Sequence, residues 1–278
     1  MKVRQFGAAF SGMLLAASLI ACGGSQSNEA ANTNASTAAG TTYKIATDVA
    51  FAPFEYQAAS GEYEGIDIEL LDAIAKDQGF EYELDPVGFD AALQNVQSGQ
   101  ADGVIAGMSI TDERKEVFDF SDSYYDSTVC VAVSADSDVK SMEDLKDQAV
   151  ATKTGTMSAK WAESMKDQYQ YVMEGHEFKD SDIMYQDVTA GNSKACFEDT
   201  PVMSYAISRY TETSGKEGVN LKIISEAQTP SDFATPYGFA VKKGQNAELL
   251  KKFNDGLKNI KANGTYDKIV NKYVQSVE

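Results

Sequence analysis

Short apolar runs alternate along the chain with longer segments in which large apolar residues return every three or four positions. Tyr43 to Thr47 reads as a strand. The spacing of Leu70, Leu71 and Ile74 predicts a helix over Ile66 to Gln78, with Gly79 able to take the left-handed conformation that stops it. Phe80 to Leu84 alternates as a half-buried strand does. Phe89 to Ser98 is helical with Leu93 and Val96 inward, Gly99 ends it, and Gly103 to Ala106 reads as a buried strand. The pattern then repeats. Val129 to Ser134 and Ala149 to Thr152 are predicted strands, Ser141 and Asp144 have the spacing of a capping box, and Ser158 to Gln168 is helical. Ile183 to Gln186 is expected to be extended, Ala195 to Phe197 a strand, Pro201 to Tyr210 a helix and Leu221 to Ile224 a strand. After a loop with Pro230 and Pro236, Tyr237 to Val241 reads as a strand, and a Lys-rich amphipathic stretch from Ala247 onward is helical until Asn263-Gly264 breaks it. Strands alternating with helices of these lengths make parallel βαβ units, and two α/β lobes suit the pattern better than one long sheet.

Ahead of Tyr43 neither period holds. Lys2 and Arg4 precede a mostly apolar run from Phe6 to Ile20, about 15 residues, short for a membrane span but suited to a signal peptide. The run ends in Leu19-Ile20-Ala21-Cys22, which resembles the lipobox of bacterial lipoproteins. That resemblance implies a lipoprotein signal peptide over 1–21, cleavage before Cys22, and a diacylglyceryl group on the Cys22 thiol. An ordinary secretory peptide followed by a chance Cys is the alternative; the small residue directly before Cys22 favours the lipid. Gly23 to Thr42 is Gly, Ser, Asn, Thr and Ala apart from Gln26, with Glu29 as its one charge, and such a segment buries too little to offset its ordering entropy. Residues 22–42 are therefore expected to be a disordered tether, reaching roughly 25 Å as a flexible coil.

Charge and composition then remove several functions. The chain of 278 residues has 42 Asp and Glu against 24 Lys and Arg, a formal net charge of −18. Loss of Lys2 and Arg4 with the signal peptide would make the remainder two charges more negative, so attraction to an anionic membrane would not hold it there. That acidity argues against nucleic acid, which needs clustered cations. A single His, His176, excludes a multi-histidine metal site and disfavours a Ser-His nucleophile. Three Cys provide no disulfide framework for this length. Beyond Cys22, Cys130 and Cys196 are either buried thiols in strands or a bridge, if the fold brings those strands together.

The residues capable of binding chemistry gather after predicted strands. Asp48 and Phe51 follow the first, Gly107-Met108-Ser109 through Arg114 follows Val104, Lys153 through Met157 follows Val150, and Glu198-Asp199 follows Cys196. Ligands in open α/β sheets sit at such carboxyl ends. Free backbone N–H groups at helix starts favour an anion, and Arg114 adds a planar fork for a carboxylate. Asp199 suits an ammonium, so the two together describe a zwitterion whose side chain Phe51 and Phe89 would flank. Each residue also has a plain structural reading: Asp48, Thr111 and Asp199 as caps or turn formers, Arg114 and Lys153 as surface cations, Phe51 and Phe89 as core. Their joint position after successive strands is what those readings do not require.

The stretches Ala46-Thr47-Asp48, Phe51-Ala52-Pro53-Phe54-Glu55-Tyr56, Gly65-Ile66-Asp67, Ser109 to Arg114, Asp119-Phe120-Ser121 with Tyr124-Tyr125, and Asn263 to Ile269 resemble the polar amino-acid-binding proteins of ABC importers, over Tyr43 to about Val274. The resemblance implies the α/β type II periplasmic-binding-protein fold, two lobes joined by a two-strand hinge, with crossings near Tyr124 to Thr128 and Phe233 to Tyr237. Residues 43–123 and 238–278 would form lobe one, and 124–237 the hinge strands and lobe two. It further implies that Arg114 grips the ligand carboxylate with the N–H groups of Ser109 and Met157. Asp199, the Ser109 hydroxyl and the Gly107 carbonyl would take the ammonium, and Phe51 and Phe89 would flank the side chain.

Asp48 with Lys153 matches glutamine-binding members, one acceptor and one donor for a carboxamide. Glu198 stands where those members have His and joins the expected ligand-binding set; Met157 replaces a small residue. The function implied is a lipid-anchored, extracytoplasmic, monomeric receptor that closes on a polar amino acid, glutamine favoured, and delivers it to an importer permease. No cofactor or metal is required. A dehydratase-like enzyme with Glu198 as general acid is the main alternative; a sensory input domain and an added adhesin role are weaker ones.

Overall fold

The computed structural model describes residues 42–208, 219–226 and 235–274. The signal segment, Cys22 and nearly all of the tether lie outside the described residues, as do Tyr210, Pro230 and Phe233. The first strand begins at Thr42. It runs parallel to Glu81–Pro86 on one side and to Gly103–Val104 on the other, and Ala240–Lys242 and Phe118–Phe120 complete a five-stranded sheet. A second five-stranded sheet sets Glu177–Phe178, Val150–Lys153, Ala195–Asp199, Val129–Ser134 and Leu221–Glu226 side by side. Between the two sheets in sequence, Tyr125–Ser127 pairs antiparallel with Thr235–Tyr237.

Helices cover the sheets where the apolar stripes require it. Ile66–Gln78 buries Ile66, Leu70, Leu71 and Ile74 and ends at Gly79 in the left-handed conformation; Phe89–Ser98 ends at Gly99 in the same way. Ala247–Ala262 lies so close to Ile66–Gln78 that a Cβ on Gly256 would meet the Ile74 Cγ2 at 2.8 Å. Phe253 from that helix stacks on Phe239, ring centres 4.5 Å apart. In the second lobe Trp161 meets Phe197 edge-on at 5.1 Å. Aromatic pairs of this geometry add about 0.5–1.5 kcal/mol beyond their burial.

Two expectations are revised. Ile183 to Gln186 is not extended: it lies inside the helix Ser181–Thr189. Asp180 caps that helix, its carboxylate accepting from the Ile183 N–H at 3.0 Å, and Met184, Tyr185 and Val188 form its buried stripe. The apolar Ile183 is 54% exposed and contributes nothing to that stripe. The expected strand Tyr237 to Val241 is broken at Gly238, so Thr235–Tyr237 joins the ribbon between lobes and Ala240–Lys242 the first sheet. Ser141 and Asp144 do form a capping box, but on a 3-10 turn, Met142–Leu145. Cys130 and Cys196 are both buried, as thiols, on the facing strands Val129–Ser134 and Ala195–Asp199.

Removing the cap by Asp180→Ala is expected to cost about 1 kcal/mol, read as a lower urea midpoint with an unchanged slope.

Candidate functional site

The carboxyl ends of both sheets supply the charged side chains. Asp48 directly follows the strand Thr42–Thr47, and Lys153 ends Val150–Lys153; their ammonium and carboxylate pair at 2.5 Å, 1% and 2% exposed. Burial opposes the charge on Lys153, but Asp48 and Glu198 outweigh it and hold the ammonium above its ordinary range. The Lys153 Nζ also stands 4.8 Å from the centre of the Phe51 ring. The Thr154 hydroxyl donates to Asp90 at 2.8 Å, a second bridge between the sheets' loops.

Arg114 sits in the single turn Asp112–Lys115, which Thr111 caps by accepting from the Arg114 N–H at 3.1 Å. Its guanidinium donates to the carbonyls of Ser109 at 2.7 Å and Gly155 at 2.8 Å, so it ties the first lobe's loop to the second lobe's. The guanidinium carbon is 5.5 Å from the Phe89 ring centre. Burial lowers Arg114 to about 10, opposed by Asp199, and it stays charged at neutral pH. A fork with five donors retains N–H groups for a ligand carboxylate.

Asp199 ends the strand Ala195–Asp199. Burial first, and the Glu198 carboxylate next, push it up to about 7, against the Tyr237 hydroxyl, Arg114 and Lys153. Tyr237 donates to its Oδ2, while its buried Oδ1 has no hydrogen-bond partner among the described residues. Gly107 has a φ of +51°, and a Cβ there would meet the Phe51 ring at 2.4 Å, so only glycine lets the backbone pass. Its N–H donates to Asp67 at 2.8 Å, as does the Tyr124 hydroxyl, fixing the loop from beneath. Burial raises Asp67 to about 6.

One narrow cavity collects these groups. Asp48, Phe51, Phe89, Gly107, Ser109, Arg114, Lys153, Met157 and Asp199 all line it, together with Ala106 and Thr156. Thr156 caps the helix Met157–Tyr169 and so has a structural task as well. Asp67 and Tyr237 support the site without having been singled out; Asp67 lies in the Gly65-Ile66-Asp67 stretch, whereas Tyr237 comes from the far side of the chain with no local signal.

Glu198 is the exception. It does not line the cavity. Successive strand residues point to opposite faces, so Asp199 faces the cavity with Phe197 behind it in sequence, and Glu198 turns to the face of Cys196. There its carboxylate accepts from Ser181 at 3.0 Å, Tyr185 at 2.9 Å and the Asp199 N–H at 2.9 Å. A fully buried acceptor with three donors is poorly placed to act as a general acid.

The chain matches the model of the bacterial extracellular solute-binding proteins, family 3, over residues 43–276. The chain belongs to this family. It is a family of solute-binding proteins, not of enzymes, and its fold is the type II periplasmic-binding-protein fold. A relative from Neisseria gonorrhoeae, named "Probable histidine-binding protein", is 32% identical over 93% of this chain and 91% of its own length. The open form of substrate-binding domain 2 of Lactococcus lactis GlnP is 42% identical over 84% of this chain and 96% of that one, with a TM-score of 0.58. An ancestral arginine-binding protein bound to arginine is 35% identical over 84% and 97%, with a TM-score of 0.73. Among the described residues no helix is long and apolar enough to cross a membrane.

In the closed, amino-acid-loaded protein Lys153→Met should cost about 3–5 kcal/mol of stability, because it strands Asp48 without its cation. Adding Asp48→Asn should restore part of that loss in a denaturation-based double-mutant cycle; additivity would contradict the pairing.

Proposed function

We propose that the protein captures a free polar amino acid outside the cytoplasm, by closure of its two lobes, and delivers it to an ABC importer. The observation that carries this reading is the opposition of Arg114 and Asp199 across one cavity. The first offers unspent N–H groups and the second a buried oxygen with no hydrogen-bond partner among the described residues. An α-carboxylate and an α-ammonium fit that pair, and the two phenyl faces of Phe51 and Phe89 fit a side chain between them. The two groups come from different lobes, so a ligand that bridges them favours closure by its differential contacts. The superpositions agree with a closed arrangement here: the arginine-bound protein fits better than the open domain, although the open domain is more similar in sequence.

Glutamine is the favoured ligand. Asp48 and Lys153 sit side by side, an acceptor and a donor, and a carboxamide needs one of each; a ligand anion would meet Asp48 and a ligand cation Lys153. The relative named for histidine keeps the imidazole, which in its neutral form also has one donor and one acceptor, as the competitor to test. The chain is read as a monomer held to the membrane by lipid at Cys22, on the strength of Leu19-Ile20-Ala21-Cys22 and the polar tether after it.

A thermal-shift panel of the proteinogenic amino acids tests the reading. At about 100 times Kd the correct ligand adds about 2.7 kcal/mol, a shift of several degrees; no response from any amino acid would overturn it. Arg114→Ala should weaken binding by at least about 100-fold while the ligand-free melting temperature holds, and Cys22→Ser should move the protein out of the membrane fraction.

A further inference from the structure

Glu198 is buried on the face of its strand turned away from the cavity, yet it is charged chemistry placed directly behind the two residues that face the ligand. The backbone N–H of Asp199 closes onto it at 2.9 Å, and Lys153 responds to it next after Asp48. We propose that Glu198 is a specificity-determining residue that never touches the ligand: through Lys153 and Asp199 it sets the side-chain charge the site accepts and the pH at which the ammonium is held. The inference rests on the reading of the cavity as an amino-acid site.

Burial raises the Glu198 carboxyl, but its hydrogen-bond donors favour the ionised form more than those of Asp199 do. Three donors, the Ser181 and Tyr185 hydroxyls and the Asp199 N–H, converge on its carboxylate, and Lys153 draws it down against the burial that raises it. Hydrogen bonds to the charged form favour that form. Asp199 has a single side-chain donor, Tyr237, and bears the repulsion of Glu198 on top of its own burial. The other titratable groups around this pair are Arg114 and Lys153, which favour ionised Asp199, Asp48 and the buried Glu55 beside Lys153, Cys130 opposite Glu198 in the ladder, and the Cys196 thiol, which burial and then Glu198 push up.

Two consequences follow. Lys153 is paired with Asp48 and also feels the charges of Glu198 and Glu55, so it has no uncompensated charge to offer a ligand anion. Asp199 must lose a proton to receive an ammonium near neutral pH, so binding is coupled to proton release on its acid side.

The test is Glu198→Gln, which keeps the size and removes the charge; its oxygen can still accept from the Asp199 N–H, while its NH2 donates to the Ser181 and Tyr185 hydroxyls in place of accepting from them. Titration calorimetry with glutamine and glutamate should show the affinity ratio moving toward glutamate by at least about tenfold. For the wild type, affinity should fall about tenfold per pH unit below pH 7, with a proton released on binding at pH 6; in Glu198→Gln that fall should begin at lower pH, with fewer protons released. Tyr185→Phe, which removes one donor from Glu198 without touching the cavity, should move both readouts the same way by less. Carboxyl carbon NMR of ligand-free protein reads Asp199 directly: its midpoint should drop in Glu198→Gln. An unmoved Asp199 midpoint, or an unchanged glutamate-to-glutamine ratio with unchanged proton release, would overturn the proposal. Failure of the wild type to bind any amino acid would instead refute the ligand reading, and the Asp199 titration would still decide whether Glu198 controls it.

Discussion

A buried charge must be compensated by another, and around this cavity that requirement determines most of what surrounds it. Lys153 lies almost wholly out of water and is held by Asp48 from the other lobe. Such a pair contributes little net stability over an apolar replacement, but either half alone would be strongly destabilising. The pair therefore acts as a demand on geometry: the two sheets must bring their strand ends to within hydrogen-bonding distance. Arg114 adds to the same demand through Gly155, and Thr154 through Asp90.

That demand is met by placing each polar group at the junction of a strand and the segment after it. Strands bury both faces in a parallel sheet and have no room for charge, whereas the first residue past the last ladder bond is free to turn. Asp48 occupies such a position, and Lys153 and Asp199 are the last residues of their strands. Gly107 extends the logic to the backbone: with no Cβ it passes against Phe51, and Asp67 with Tyr124 clamps it from below. The floor of the cavity is thus rigid backbone supported by a buried carboxylate, and the walls are the two phenyl rings.

Much of this was legible in the sequence for identifiable reasons. The helices Ile66–Gln78 and Phe89–Ser98 announce their ends through Gly79 and Gly99, which take the left-handed conformation expected of them. The cavity-lining residues were legible because they follow apolar runs in turn. The helix Ser181–Thr189 was misread because Ile183, its most apolar-looking signal, faces solvent while Tyr185 turns inward to Glu198. Glu198 was misplaced because its neighbour Asp199 belongs to the cavity and successive side chains of a strand point to opposite faces. Tyr237 was invisible, since its role depends on a ribbon partner more than a hundred positions away, Ser127.

The central claim is that one small zwitterion, held by Arg114 on one lobe and Asp199 on the other, closes the two lobes together. Small-angle scattering of the purified protein, with and without saturating amino acid, tests it most directly. The cognate amino acid should reduce the radius of gyration, and Arg114→Ala should abolish the reduction. An unchanged radius with every amino acid, or the same contraction in Arg114→Ala, would contradict it.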